Sequence, residues 1–295
     1  MIYRGEARNA LVLLVSDARD WHARRMEEAY AALGAEVVRL DLAACNFATT
    51  SPSGLALPGF KTLPDAVHVR TFAAGSFEAI TKRLGILHAL DALGVRVVNR
   101  PRAIEACVDK SMTSFLVARA GLPTPQTWTL ESPDEARALV RREIERGPLV
   151  LKPLFGAQGK GLLLLRNADD LPPPEAVAGV YYLQRFEPVD GEDFRDFRLF
   201  VSGGRVVAAM MRRARTWITN VKQGGEPVAI GRDGALEALA LAAAKAVGAE
   251  IAGVDIIVGR NGPRVLEINS MPAWRGLQKV AQVDIARALA VDVLR

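Results

Sequence analysis

The 295-residue sequence predicts a small α/β block with a parallel sheet, followed by an α+β body of antiparallel strands. Three observations predict it. Residues 9–40 run from an apolar, branched segment through a helical pattern to a second apolar segment, the βαβ start of a parallel sheet. Residues 149–165 join two short apolar strands through a glycine-rich loop, and residues 252–268 join two more across a Gly/Asn turn.

The elements follow in order. The strand at 9–15 leads to a helix that ends at Leu33 before Gly34, then to strand Glu36–Leu40. The polar, proline-punctuated stretch Thr49–Pro64 reads as a hairpin or loop. Ala66–Arg70 is a strand, Phe77–Leu93 a helix stopped by Gly94, and Val95–Val98 a strand that closes the first block. No dinucleotide-type glycine fingerprint follows its first strand. Asn99-Arg100-Pro101 opens a short helix, and Asp109 caps a second that runs to Ala120 before Gly121. Strand Thr127–Leu130, helix Pro133–Arg146 and strands Leu149–Lys152, Leu162–Leu165 and Val180–Gln184 form the next unit, with a surface linker at 171–175. Strands at 197–201, 205–211, 252–258 and 264–268, a helix at Ala235–Val247 and a terminal helix from about Leu277 complete the chain.

Composition narrows the function. At 50% hydrophobic and 24% charged residues the chain buries a sizeable core, which excludes a disordered protein. Its longest apolar runs fall far short of the roughly 20 residues that span a bilayer. The N-terminus lacks the pattern of a secretory signal, so no membrane partner and a cytoplasmic location are expected. Cys45 and Cys107 lie far apart without a CxxC or histidine cluster, and His22, His68 and His88 are scattered and read as packed side chains. The net charge of +5 favours anionic partners. Lys and Arg are spread without interleaved aromatics, so small anions such as nucleotides are expected rather than nucleic acid.

The segment VLKPLFGAQGKGLLLL, residues 150–165, carries the strongest chemical signal. Gly156, Gly159 and Gly161 permit close backbone approach to phosphate oxygens, while Lys152 and Lys160 add positive charge. Walker and dinucleotide loops open helices, whereas this loop joins two strands, so both are excluded. In GVDIIVGRNGPRVLEINSMP, residues 253–272, Glu267 and Asn269 share one strand face, and a hairpin centred on Asn261 sets Asp255 opposite Glu267. Two carboxylates and an amide oxygen make a hard-donor site suited to Mg²⁺.

These motifs resemble the ATP-grasp superfamily, and most closely its RimK-like branch of amino-acid ligases. The resemblance spans about residues 95–275 and runs in order through NRPRAIEACVDKSMTSFLVARAGLPTPQTW, VLKPLFGAQGKG, YYLQRF, DFRLFVSGGRVVAAMMRRA, TNVKQGG, and GVDII with LEINSMP. It implies a three-domain ATP-grasp fold: an N-terminal α/β domain at 1–100, a central subdomain with the glycine loop at 101–185, and a C-terminal subdomain with the metal site at 186–295.

The resemblance also implies residue roles. Lys110 and Lys152 meet the ATP phosphates beneath a loop of Gly156, Ala157, Gln158, Gly159, Lys160 and Gly161. Gln184, Arg185 and Phe186 match the hinge whose backbone reads adenine, and Asp196 and Asn220 match nucleotide contacts. Arg198 and Arg213, with Lys152, are the expected catalytic cations. Asp255, Glu267 and Asn269 match the ligands of Mg²⁺ or Mn²⁺, two ions being expected. Two departures stand out. Arg185 occupies a hinge position usually acidic, with Glu187 the alternative contact, and Ile218 stands where the ribosomal-protein glutamate ligases carry arginine. The WITN form looks more like the carrier-protein ligases and the coenzyme-tail glutamate ligases.

The implied reaction is attack of a substrate carboxylate on the γ-phosphate, followed by an amine that displaces phosphate to form an amide. No protein nucleophile is needed. Arg70, with Gly75 and Ser76 at a helix N-terminus, is a candidate carboxylate site, and Arg275 either grips an amino-acid carboxylate or is solvated. Trp217 and Trp274 are candidate walls for an aromatic substrate or packing residues. The expected partners are L-glutamate and a small-molecule acceptor of methanopterin or methanofuran type, in a homo-oligomer, a dimer or tetramer. The alternatives are a carrier-protein ligase of lysine or arginine biosynthesis and a non-catalytic ATP-binding regulator.

Overall fold

A computed structural model describes residues 9–156, 159–187 and 194–295. The first block contains β1 (Leu11–Val15), α1 (Trp21–Ala32), β2 (Glu36–Leu40), a short β3–β4 hairpin (Asn46–Phe47 and Leu55–Ala56), β5 (Ala66–Val69), α2 (Phe77–Ala92) and β6 (Arg96–Val98). Four of these strands form a parallel sheet in the order β2-β1-β5-β6. Val12 to Val15 are completely buried, as expected for a central parallel strand covered on both faces. The helix ends are written locally. Asp20 and Ser76 accept from the amides of Ala23 and Ala79, and Gly34 and Gly94 supply the left-handed residue after each helix.

The helices α3 (Pro101–Val108) and α4 (Lys110–Arg119) lead to a second, antiparallel sheet in the order β7-β10-β8-β9. Its members are β7 (Thr127–Leu130), β8 (Leu149–Lys152), β9 (Leu163–Leu165) and β10 (Tyr181–Arg185), with α5 (Pro133–Ile144) packed against it. The third sheet contains β11 (Phe194–Ser202), β12 (Arg205–Ala214), β13 (Glu226–Ala229), β14 (Ile251–Gly259) and β15 (Gly262–Asn269), ordered β13-β12-β11-β14-β15. Helix α6 (Gly234–Ala246) covers it.

Two elements differ from expectation. Strand β13 lies at a sheet edge, where Pro227 is tolerated because its missing N–H faces no neighbour, and this proline hides the strand in the sequence. The terminal helix is broken into α7 (Arg275–Gln278) and α8 (Ile285–Val293). Gln278 spans the break, donating to the Val283 carbonyl and accepting from Ile285 N–H, and Asp284 caps the second piece. Among the described residues no helix is long and apolar enough to cross a membrane.

One core joins the ends of the chain. Tyr30 of α1, Phe200 of β11, Trp274 and Leu289 of α8 belong to one buried cluster. Asn99, buried just after β6, donates to the carbonyls of Ile251 and Ser270 and accepts from the amides of Glu250 and Ile251. Its full bonding capacity therefore fastens the first block to the start of β14 and the end of β15.

Candidate active site

The cleft between the second and third sheets gathers Lys110, Lys152, Gly156, Gly159, Lys160, Gln184, Arg185, Phe186, Glu187, Asp196, Asn220, Asp255 and Glu267. Ala157 and Gln158 lie outside the described residues. Lys110 opens α4 directly after its Asp109 cap, so its side chain issues from a fixed helix start. It donates to the Gly156 carbonyl at 2.8 Å and stands 3.8 Å from Glu267. Burial lowers its pKa, with Glu267 and Asp109 opposing the shift. Lys152 ends β8 and donates to Gln184 Oε1 at 2.6 Å. Burial lowers its pKa too, against the attraction of Glu267. Gln184 in turn donates to the Tyr182 hydroxyl at 3.5 Å, and that hydroxyl pairs with Ser114 at 2.7 Å. The glutamine side chain therefore orients the lysine.

The glycine loop meets the opposite wall at Asn220. Gly159 has φ +71°, and a Cβ there would stand 2.6 Å from Asn220 Oδ1. Gly161, at φ +72°, packs on the Pro153 ring. At the hinge, the N–H groups of Arg185 and Phe186 already donate to the carbonyls of Gln126 and Pro148. The Arg185 side chain is engaged by the end of α5 and the turn after it. It donates to the carbonyls of Glu143 and Gly147 and to the Glu143 carboxylate, and lies over the Trp128 ring, which explains a cation where the family has an acid. Glu187 pairs with Arg264 at 3.4 Å, and burial raises its pKa. The rings of Phe186 and Trp217 meet edge to face at 6.1 Å on the cleft wall.

Asp255 and Glu267 are cross-strand partners, and Asn269 lies opposite Gly253. The expected pairing holds by a different route. The turn is Arg260-Asn261 between Gly259 and Gly262, and Leu266 is an extra bulged residue that shifts the register by one. Arg198 donates to both Asp255 oxygens at 2.7 Å. Arg212, buried on β12, adds a contact to Asp255 at 3.0 Å and forks onto Asp196. Burial would raise the Asp255 carboxyl, but the two guanidinium groups hold it below its ordinary value.

Of the two adjacent arginines, the sequence motif points to Arg213, whereas the structure brings Arg212 to the cleft. Arg213 is exposed, on the other face of β12, while Arg212 lines the cleft. The cause is a second bulge, at Val207, which opposes Asp196 to Arg212. The signal available in the sequence was charge: two carboxylates buried on neighbouring strands require cationic partners.

Of the substrate candidates, Arg70 is buried rather than open. It donates to the Met271 carbonyl at 3.3 Å, packs over the Trp274 ring and lies 3.9 Å from Asp20. Gly75 and Ser76 are exposed, and the cation beside them is Arg83, which donates to the Ala73 and Ala74 carbonyls. Arg275 is exposed and lies over the Trp21 ring.

The donors fit a hard cation. Glu267 presents its carboxylate to the cleft, and Asp255 keeps lone pairs beyond those used by the arginines. Asn269, two residues beyond Glu267 and opposite Gly253, shares its strand face. Among the described residues no group of three His, Cys, Asp or Glu side chains forms a ready cage. Two carboxylates and one amide oxygen leave the rest of a hard cation's shell to water and phosphate.

A mixed fold with a lysine-walled cleft, a glycine loop and paired carboxylates defines an ATP-grasp ligase, an enzyme that uses ATP and a divalent metal. The RimK-like ATP-grasp domain matches residues 107–293, and the chain belongs to that family. The tetrahydromethanopterin:alpha-L-glutamate ligase of Methanosarcina acetivorans is 32% identical over 305 residues, covering 90% of this chain and 92% of that protein. The ligase of the same name from Methanococcus maripaludis is 37% identical over 206 residues, covering 68% of this chain and 70% of its own. A RimK domain ATP-grasp protein from Sphaerobacter thermophilus superimposes with TM-score 0.73 at 25% identity, over 97% of this chain and 100% of its own. The protein is an ATP-dependent amino-acid ligase acting on small molecules.

Proposed function

We propose that this enzyme joins L-glutamate by an amide bond to a methanopterin-type coenzyme precursor. The observation that carries the reading is the similarity to the Methanosarcina acetivorans ligase along 90% of the chain. When bound, ATP supplies a phosphoryl group that activates the substrate carboxylate, and Mg²⁺ or Mn²⁺, as one ion or two, screens its charge. Asp255, Glu267 and Asn269 would hold the metal. Lys110 and Lys152 orient the phosphates, their lowered pKa values reflecting the dry surroundings in which charge acts most strongly. Arg212 rather than Arg213 stands beside Arg198 as the second cation, and loop closure toward Asn220 excludes water that would hydrolyse the activated acid. Arg275 receives the amino-acid carboxylate. The working division is 1–100, 101–185 and 186–295, in a cytoplasmic homo-oligomer, the cytoplasm being where ATP is held.

The test follows ADP release with ATP, Mg²⁺, L-glutamate and a panel of acceptors that includes tetrahydromethanopterin and small acidic carrier proteins, with product mass as readout. One glutamyl mass added to the pterin, absent in Glu267→Ala, is the expected result. Turnover on a carrier protein alone, or on no acceptor, sinks the proposed substrate.

A further inference from the structure

We propose that His22, on the first helix of the parallel-sheet block, is a positioning residue for the loop at 270–275, and through it for Arg275. This deepens the ligase reading and rests on Arg275 facing the amino acid. The His22 Nε2 atom lies 3.2 Å from the backbone nitrogen of Trp274 and 3.2 Å from that of Arg275. A ring nitrogen that accepts two amide N–H groups must carry the lone pair, so the proton sits on Nδ1, which donates to Asp20 Oδ2 at 2.9 Å. Asp20 is itself fixed as the cap of α1, and its other oxygen accepts from Ala23. The imidazole is wedged edge-on between Trp21 and Trp274, at 5.0 and 4.6 Å between ring centres.

The loop begins one residue after Asn269 and is tied to the first block at three places. Asn99 takes the Ser270 carbonyl, Arg70 the Met271 carbonyl, and His22 the amides of Trp274 and Arg275. Of the three ties only the last can be undone by a proton. Protonation would place an N–H on Nε2 against two N–H donors and release both. The charged groups facing His22 are Asp20 from its own helix cap, Arg70 from the end of β5 and Arg275 from α7. Burial, then the Arg70 charge, lowers the imidazole below its ordinary 6.5 against the pull of Asp20, in the direction that keeps Nε2 free to accept the two amides.

The experiment uses the full-length enzyme with His22→Phe and His22→Gln. In a nitrogen-15 imidazole spectrum at pH 7, the signal lost in His22→Phe should show the Nδ1-protonated tautomer. His22→Phe should raise KM for L-glutamate roughly tenfold to a hundredfold, as small misplacements of substrate contacts do, with KM for ATP unchanged. His22→Gln, whose amide oxygen can accept both N–H groups, should recover most of the loss and flatten the acid limb of kcat/KM for glutamate. An Nε2-protonated tautomer, or an acid limb and glutamate KM that ignore both variants, overturns the proposal. If the wild type turns over no glutamate, the substrate reading fails and the tautomer alone decides whether His22 anchors the loop.

Discussion

Arg198 grips Asp255 through two parallel hydrogen bonds of 2.7 Å on adjacent antiparallel strands. Asp255 is 3% exposed, so the pair is sustained by charge in a poorly solvated place rather than by solvent. Asp255→Ala leaves two guanidinium groups facing a void, and breaking a buried pair in this way should cost about 3–5 kcal/mol of stability, read by urea unfolding. The pH dependence follows from the lowered pKa. A carboxyl below its unfolded value of 3.8 contributes fully at neutral pH and loses that contribution as pH falls through the lower folded value. Acid unfolding of the wild type should therefore persist below pH 3.8 in a component that Asp255→Asn lacks.

The arginines at 212 and 213 separate the two faces of β12. Arg212→Lys keeps the charge but loses the fork that spans Asp196 and Asp255, leaving a buried acceptor short by about 1–3 kcal/mol and depressing kcat. Arg213→Ala, on the exposed face of β12 away from the cleft, should leave kcat near wild type. Equal losses in both variants would contradict the assignment of the inward face.

At Gly159 the backbone and the space act together. Alanine there pays about 1–2 kcal/mol for the left-handed conformation and meets Asn220. The loop should close less readily, raising KM for ATP roughly tenfold, since 1.4 kcal/mol is one decade. Thermal stability without nucleotide should move little.

Lys152 should show opposite trends in folding and binding. Its folded pKa lies below 10.5, so the unfolded chain holds the extra proton between the two values and stability rises with pH there. ATP affinity should instead fall as pH climbs through the lowered value, earlier than an ordinary lysine would allow. Lys152→Met should remove that alkaline limb and lower kcat roughly 10²–10³-fold, the usual cost of one charge-stabilising donor.

The elements of this protein were legible because their signals are local. Asp20, Ser76 and Asp109 cap helices, Gly34 and Gly94 end them, and the strand–glycine–strand segment cannot open a helix. The family motifs, and the pairing of Asp255 with Glu267, were also within reach. The edge strand β13 was not, because Pro227 argues against a strand until its neighbour is known.

The sequence by itself determined the parallel block, the glycine loop, the two lysines and the carboxylates of β14 and β15. Tertiary structure decided which arginine faces them and what anchors the loop beyond. Counted back from the Gly203-Gly204 turn, Asp196 would oppose Met211 and Arg213 would share its face. The extra residue Val207 advances the register by one and turns Arg212 inward instead. A strand alternates with a period of two, so one bulged residue reverses every side chain beyond it, and strand packing rather than local propensity sets where that bulge falls. The contact of His22 with residues 274 and 275 has the same character: it spans 252 positions, and no spacing in the chain encodes it.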